Sequence, residues 1–188
     1  MFPRNTVFKL SCPRQRDIRT GITKPIYALS YQSSPESTFF RNDPLGRLRD
    51  ILMVSRERNE AHNVTSALMC SAGKFLQVLE GPKRAVEETF ARIRKDGRHT
   101  GVILLSKQSV SQRYFEGSPM IIAGLSLEAR EYYRYFTNYA GFDWQKLDNN
   151  CLCALMLKLI ELDEMSACAP ASRARLFRLP ATSLATRH

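Results

Sequence analysis

Long apolar runs, tryptophan and regularly spaced cysteines are scarce in this 188-residue sequence. No stretch approaches 18 uncharged apolar residues. The greasiest run, Cys151 to Ile160, contains Lys158 and stops at Glu161, which excludes a membrane-spanning helix. The 5 cysteines are odd in number and irregularly placed, and no apolar signal region precedes a small-residue cleavage site, so a reducing cytoplasm is expected rather than a disulfide scaffold. Cys151 and Cys153 lack the two-residue spacer of a zinc or redox pair, and His62, His99 and His188 lie far apart; no metal site is legible. A glycine-rich dinucleotide fingerprint is missing, as is any evident nucleophile or acid/base pair, which argues against an enzyme. At 21.5 kDa the chain is also too short for a two-domain oxidoreductase or a barrel enzyme.

With 44% hydrophobic and 24% charged residues, the chain is able to bury a core. Its net charge of +10 is unevenly spread. Residues 1–25 carry +5 and residues 166–188 carry +4, leaving +1 for everything between. Basic character at the ends, without a basic folded face, does not predict a nucleic-acid reader. Residues 1–25 read as a flexible basic extension whose Arg-rich, acid-poor composition is also that of an organellar transit peptide, and residues 166–188 as a basic, disordered tail.

Between these ends the pattern predicts a strand at Ile26–Tyr31 and a helix from Asp43-Pro44 to about Asn59, with Leu45, Leu48, Ile51, Leu52 and Ser55 recurring at three and four. Val64–Cys70 and Lys74–Glu80 form a hairpin around Gly73. A second helix carries Val86, Phe90 and Ile93 on one stripe and stops near Asp96-Gly97. Val102–Leu105 is a buried strand, and Arg113–Met120 a further extended segment interrupted by Gly117 and Pro119. The order β, α, β, β, α, β, β predicts a ferredoxin-like α+β sandwich: a mixed sheet with both helices on one face. Two later helical segments, Leu125–Tyr139 and Trp144–Met165, are expected to cap the other face, so that residues 26–121 form the domain and 122–165 its helical cap.

Alternation along strands puts Tyr31 on the face of Tyr27 and Leu29, and Gln77 on that of Phe75 and Leu79. An amide buried mid-strand without partners costs roughly 1 to 3 kcal/mol, so Gln77 needs either solvent, backbone partners or a purpose. Tyr31 in Leu-Ser-Tyr, Asn59 in Ser-Arg-Glu-Arg-Asn, Phe-Leu-Gln-Val-Leu-Glu-Gly at 75–81, Arg98-His99, and Phe-Glu-Gly-Ser-Pro-Met ending at Met120 occur in order across half the chain. In these motifs the sequence resembles the BLUF domain, the blue-light-sensing flavin module of microbial photoreceptors.

The resemblance implies a non-covalent flavin, FAD ahead of FMN or riboflavin, standing between the two helices. It implies Asn59 at the polar rim of the ring, Arg98 and His99 near the ring or its phosphate chain, and Ser55 as a weaker contact. Asn59 on its own also reads as a helix C-cap. The resemblance further implies that light draws an electron and then a proton from Tyr31, that Gln77 relays the proton, and that recombination leaves a rearranged hydrogen bond and a red-shifted absorption. Many relatives have tryptophan two positions before the residue matching Met120; here that position is Ser118, expected to share a strand face with Met120, and the single tryptophan is Trp144. The implied output is binding, to a protein partner or a second copy through the C-terminal helices. A dark-acting flavin redox protein and a cofactor-free interaction module are the alternatives.

Overall fold

The computed structural model describes residues 25–168 apart from 40, 42, 72 and 138–147. Trp144, nearly all of the N-terminal extension and the tail beyond Cys168 lie outside the described residues. The elements are β1 (Ile26–Pro35), α1 (Pro44–Ala61), β2 (Thr65–Ser71), β3 (Lys74–Gly81), α2 (Lys83–Lys95), β4 (His99–Val110), β5 (Ile121–Ala123), α3 (Leu127–Thr137) and α4 (Asn149–Cys168). They build a five-stranded sheet ordered β4-β1-β3-β2-β5. All neighbours are antiparallel except β2 and β5, which run parallel, so the sheet is mixed, as the element order implied.

Local chemistry accounts for the boundaries. Asp43 Oδ1 accepts the Gly46 N–H at 2.9 Å and Pro44 opens α1, where its missing donor is harmless. Gly73 turns the β2–β3 hairpin at φ 71°, a conformation that a side chain would strain. β4 is an edge strand and not the buried one expected, with Ile103 and Leu104 exposed, and it outruns Val102–Leu105 because its ladder with β1 extends from Ile26↔Val110 to Pro35↔His99.

The two faces hold separate cores. Under α1 and α2 lie Leu48, Ile51, Leu68, Phe75 and Met120 in one cluster, and Leu29, Tyr31, Leu79 and Val86 in another. On the opposite face, Ala67, Met69, Leu76 and Val78 meet Leu152, Leu155, Met156 and Leu159 of α4 together with Ala129 and Tyr133 of α3. The helical spacing of those α4 residues aims one stripe at the sheet, and each such leucine contributes about 1.5 to 3 kcal/mol. The cap is also tied by one carboxylate: Asp163 of α4 accepts the N–H groups of Gly124, Leu125 and Ser126 at 2.7, 3.1 and 2.7 Å. α4 continues three residues past Met165, the expected end of the cap, with the Ser166 hydroxyl donating to Glu128.

The expected extended segment Arg113–Met120 is instead a succession of turns, and only Ile121–Ala123 joins the sheet. Its backbone donors are spent elsewhere. The buried Glu80 carboxylate accepts the N–H groups of Tyr114 (3.0 and 3.1 Å) and Phe115 (3.0 Å), while Arg113 donates to the Glu80 carbonyl at 2.8 Å and to Asn63. Gly117 then turns at φ 74°, and Pro119 has no N–H for a ladder. Glu80→Gln should therefore lower stability by about 2 kcal/mol, because one oxygen is replaced by a donor facing donors. A urea midpoint equal to that of the parent would show that the carboxylate does not hold the turn.

Candidate functional site

Strand register builds the site. Tyr31 of β1 lies opposite Gln77 of β3, which lies opposite Leu68 of β2, so phenol, amide and leucine project from the face beneath α1 and α2. The Tyr31 hydroxyl donates to Gln77 Oε1, and Gln77 Nε2 faces the Met120 thioether at 3.5 Å. Tyr31 is 0% and Gln77 4% exposed. Tyr31 belongs to the cluster packed by α2, whereas Phe75 and Met120 belong to that packed by α1. The amide thus stands on the seam between the helices. Burial pushes the Tyr31 phenol far above its ordinary ionisation range, with the Asp96 charge adding to the effect, so it holds its proton throughout the physiological range.

Asn59 reaches the same seam from the last turn of α1. It is 2% exposed, and its Nδ2 donates to Ser66 Oγ at 3.1 Å and to the Pro119 carbonyl at 2.7 Å. It does not cap the helix; His62 does, through an N–H bonded to the Asn59 carbonyl at 3.2 Å. Ser66 Oγ lies 3.0 Å from the Pro119 carbonyl and 2.9 Å from Met120 Sδ, and Arg56 Nε donates to the Met120 carbonyl at 2.9 Å.

The remaining expected residues divide. His99 belongs to the site: Nδ1 is 2.9 Å from Ser33 Oγ, and the ring sits edge-on to Tyr31 and 5.1 Å from Phe75. Arg98 turns to Asp96 instead, with Nη2 at 2.6 Å and Nε at 3.0 Å from its carboxylate. Ser55 is half-buried one turn before Asn59. Ser118 and Met120 share no strand face, since both precede β5; Ser118 is bound to β2 through its carbonyl, which accepts the Ser66 N–H at 3.1 Å. Ser66, Ser33 and Arg56 escaped the sequence reading because small hydroxyls in strands and arginine on a helix carry no distinguishing signal.

The profile of the family described as "BLUF: Sensors of blue-light using FAD" matches residues 26–121, half of the chain. The chain belongs to the BLUF family. Photoactivated adenylate cyclase subunit alpha of Euglena gracilis is 33% identical over 132 residues, which take in 63% of this chain and 13% of the cyclase subunit. The blue light- and temperature-regulated antirepressor BluF of Escherichia coli K12 is 27% identical over 90 residues, 48% of this chain and 22% of the antirepressor. The chain thus spans a small part of these curated relatives. The photo-activated structure of BlsA superposes with a TM-score of 0.60 at 25% identity, covering 72% of this chain and 94% of BlsA; its ground state gives 0.59 at 26%, covering 72% and 87%.

BLUF domains bind flavin, and the donor set fits one. The polar rim of an isoalloxazine alternates acceptors with an N–H donor, and Gln77 and Asn59 are buried amides able both to donate and to accept. Asn59 Oδ1 takes no part in the bonds described above. Among the described residues no group of three His, Cys, Asp or Glu side chains could hold a metal ion.

Burial lowers the pKa of His99 below its ordinary 6.5, partly offset by Asp96. The unfolded chain therefore takes up a proton near that pH that the folded chain resists, and stability falls as pH drops from about 7.5 to 5.5. His99→Gln should flatten that slope when urea midpoints are compared across the interval. An equal slope in both proteins would place the titrating group elsewhere.

Proposed function

We propose that this chain is a blue-light photoreceptor in which Tyr31 and Gln77 form the photoactive pair and FAD is the native flavin. The observation that carries the reading is the bond from the buried Tyr31 hydroxyl to Gln77 Oε1, with the same amide's nitrogen turned to Met120. Asn59 and Gln77 would hold the polar rim of the ring, with His99 and Ser55 beside it. Arg98 could reach a phosphate group only by sharing or leaving Asp96, which makes it the weakest member of the set.

Bound flavin supplies blue absorption and a place for one electron. Tyr31 then gives up an electron, and because its phenol resists simple ionisation the proton leaves with the electron's departure, along the bond already made to Gln77. Both return to Tyr31. What persists is the Gln77 amide, turned or tautomerised, so that a donor stands where an acceptor stood. The chain does no net chemistry in this cycle. Its output would be a changed fit between the helical cap and a protein partner or a second copy, in the cytoplasm that the odd number and irregular spacing of the cysteines suit. The large apolar side chains exposed on the cap, Tyr135, Leu157 and Met165, support binding there.

Purified full-length protein should be yellow, and its absorption band should move reversibly to the red under blue light. Tyr31→Phe should keep flavin and fold but lose that reversible shift, as should Gln77→Leu. A Tyr31→Phe protein that cycles like the parent refutes the role of the phenol, and a colourless protein that cannot be loaded with flavin refutes the reading as a whole.

A further inference from the structure

Ser66 occupies a junction that no expected site residue fills. It is 0% exposed in β2, and three of its contacts reach consecutive residues of the segment leading into β5. Its N–H donates to the Ser118 carbonyl at 3.1 Å, and its Oγ lies 3.0 Å from the Pro119 carbonyl and 2.9 Å from Met120 Sδ. The same oxygen accepts from Asn59 Nδ2 at 3.1 Å. A hydroxyl has one proton to give, so it can satisfy the carbonyl or the thioether but not both. The carbonyl is the stronger acceptor, yet it already receives Asn59 Nδ2 at 2.7 Å. The Ser66 proton can rest on the carbonyl's second lone pair or on the sulfur, two placements that exchange without breaking the Asn59 bond.

What decides between them is Met120 Sδ, which Ser66 shares with Gln77 Nε2 at 3.5 Å. If the Gln77 amide turns, its N–H leaves the sulfur and an oxygen faces it. The Ser66 proton then gains by moving to the sulfur, and the Pro119 carbonyl loses a donor. We propose that Ser66 is a positioning residue that passes the Gln77 rearrangement to the 118–120 backbone, and through β5 to the cap. The continuation is on the same path: Ala123 packs in the cluster of α4, and the next three N–H groups are held by Asp163. The proposal rests on the photoreceptor reading for its light-driven part, whereas the Ser66–Met120 contact is independent of light.

Two measurements on the full chain separate them. In the dark, the Met120 methyl signal of protein labelled at methionine methyls, assigned with Met120→Leu, should shift in Ser66→Ala. In the flavin-loaded protein, Ser66→Ala should keep the red shift but change the dark-recovery rate about three- to tenfold, the effect of one hydrogen bond. In a Met120→Leu background the same substitution should change recovery less than about twofold, since the shared sulfur is gone. A parent that shifts to the red, with a Ser66→Ala variant unaltered in both methyl signal and recovery, overturns the Ser66 relay alone. Equal effects of Ser66→Ala in both backgrounds also overturn it, because the residue would then act without the sulfur. A parent with no red shift overturns the photoreceptor reading and with it the light-driven role.

Discussion

The antiparallel register of β1 against β3 is the constraint on which the site depends. It sets Tyr31 directly opposite Gln77, and side chains alternate, so a slip of one residue would send the phenol to the face covered by α4. Both faces oppose that slip. Leu29 and Leu79 face α2, while Ala28 and Val78 are buried on the opposite side. With apolar burial demanded above and below, the central strands have one register. The hydrogen bond between the two polar side chains is thereby imposed by hydrophobic packing many times larger than itself.

Much of this was legible in the chain. Alternation alone put Tyr31 and Gln77 on the apolar faces of their strands, and the order of elements gave the mixed sheet with helices on one side, because a period of two or of 3.6 survives without knowledge of contacts. Asn59 and Met120 were legible only through family motifs, since an asparagine near a helix end and a methionine after a proline have many ordinary uses. What failed was the segment from Arg113 to Met120. Its conformation is dictated by the Glu80 carboxylate, 34 and 35 residues away, and a glutamate beside Gly-Pro looks like the solvated end of a strand. The Arg98–Asp96 pair was not legible either, because an aspartate two residues earlier in a turn gives no sign that it binds the guanidinium.

The sheet divides the labour between its faces. Tyr31, Gln77 and Met120 lie beneath α1 and α2, while the cap is packed on the other side by wholly different residues of the same strands. Side chains of the two faces are separated by the sheet itself, so the main chain of the strands is the material they share. The Pro119–Met120 stretch is where polar groups of the first face touch main chain that continues to the second.

β5 itself is held by three parallel pairings, Ala67↔Ile121, Leu68↔Ile122 and Met69↔Ala123, whereas β1 spans ten residues with ladders on both sides. Displacing so short a border strand disturbs few ladder bonds and leaves the four long strands zipped. β5 is therefore the most lightly paired border of the sheet, and it joins the face beneath α1 and α2 to the segment that Asp163 holds. Few bonds of the sheet oppose a shift of β5, the strand nearest to the Ser66 and Asn59 contacts with residues 118–120.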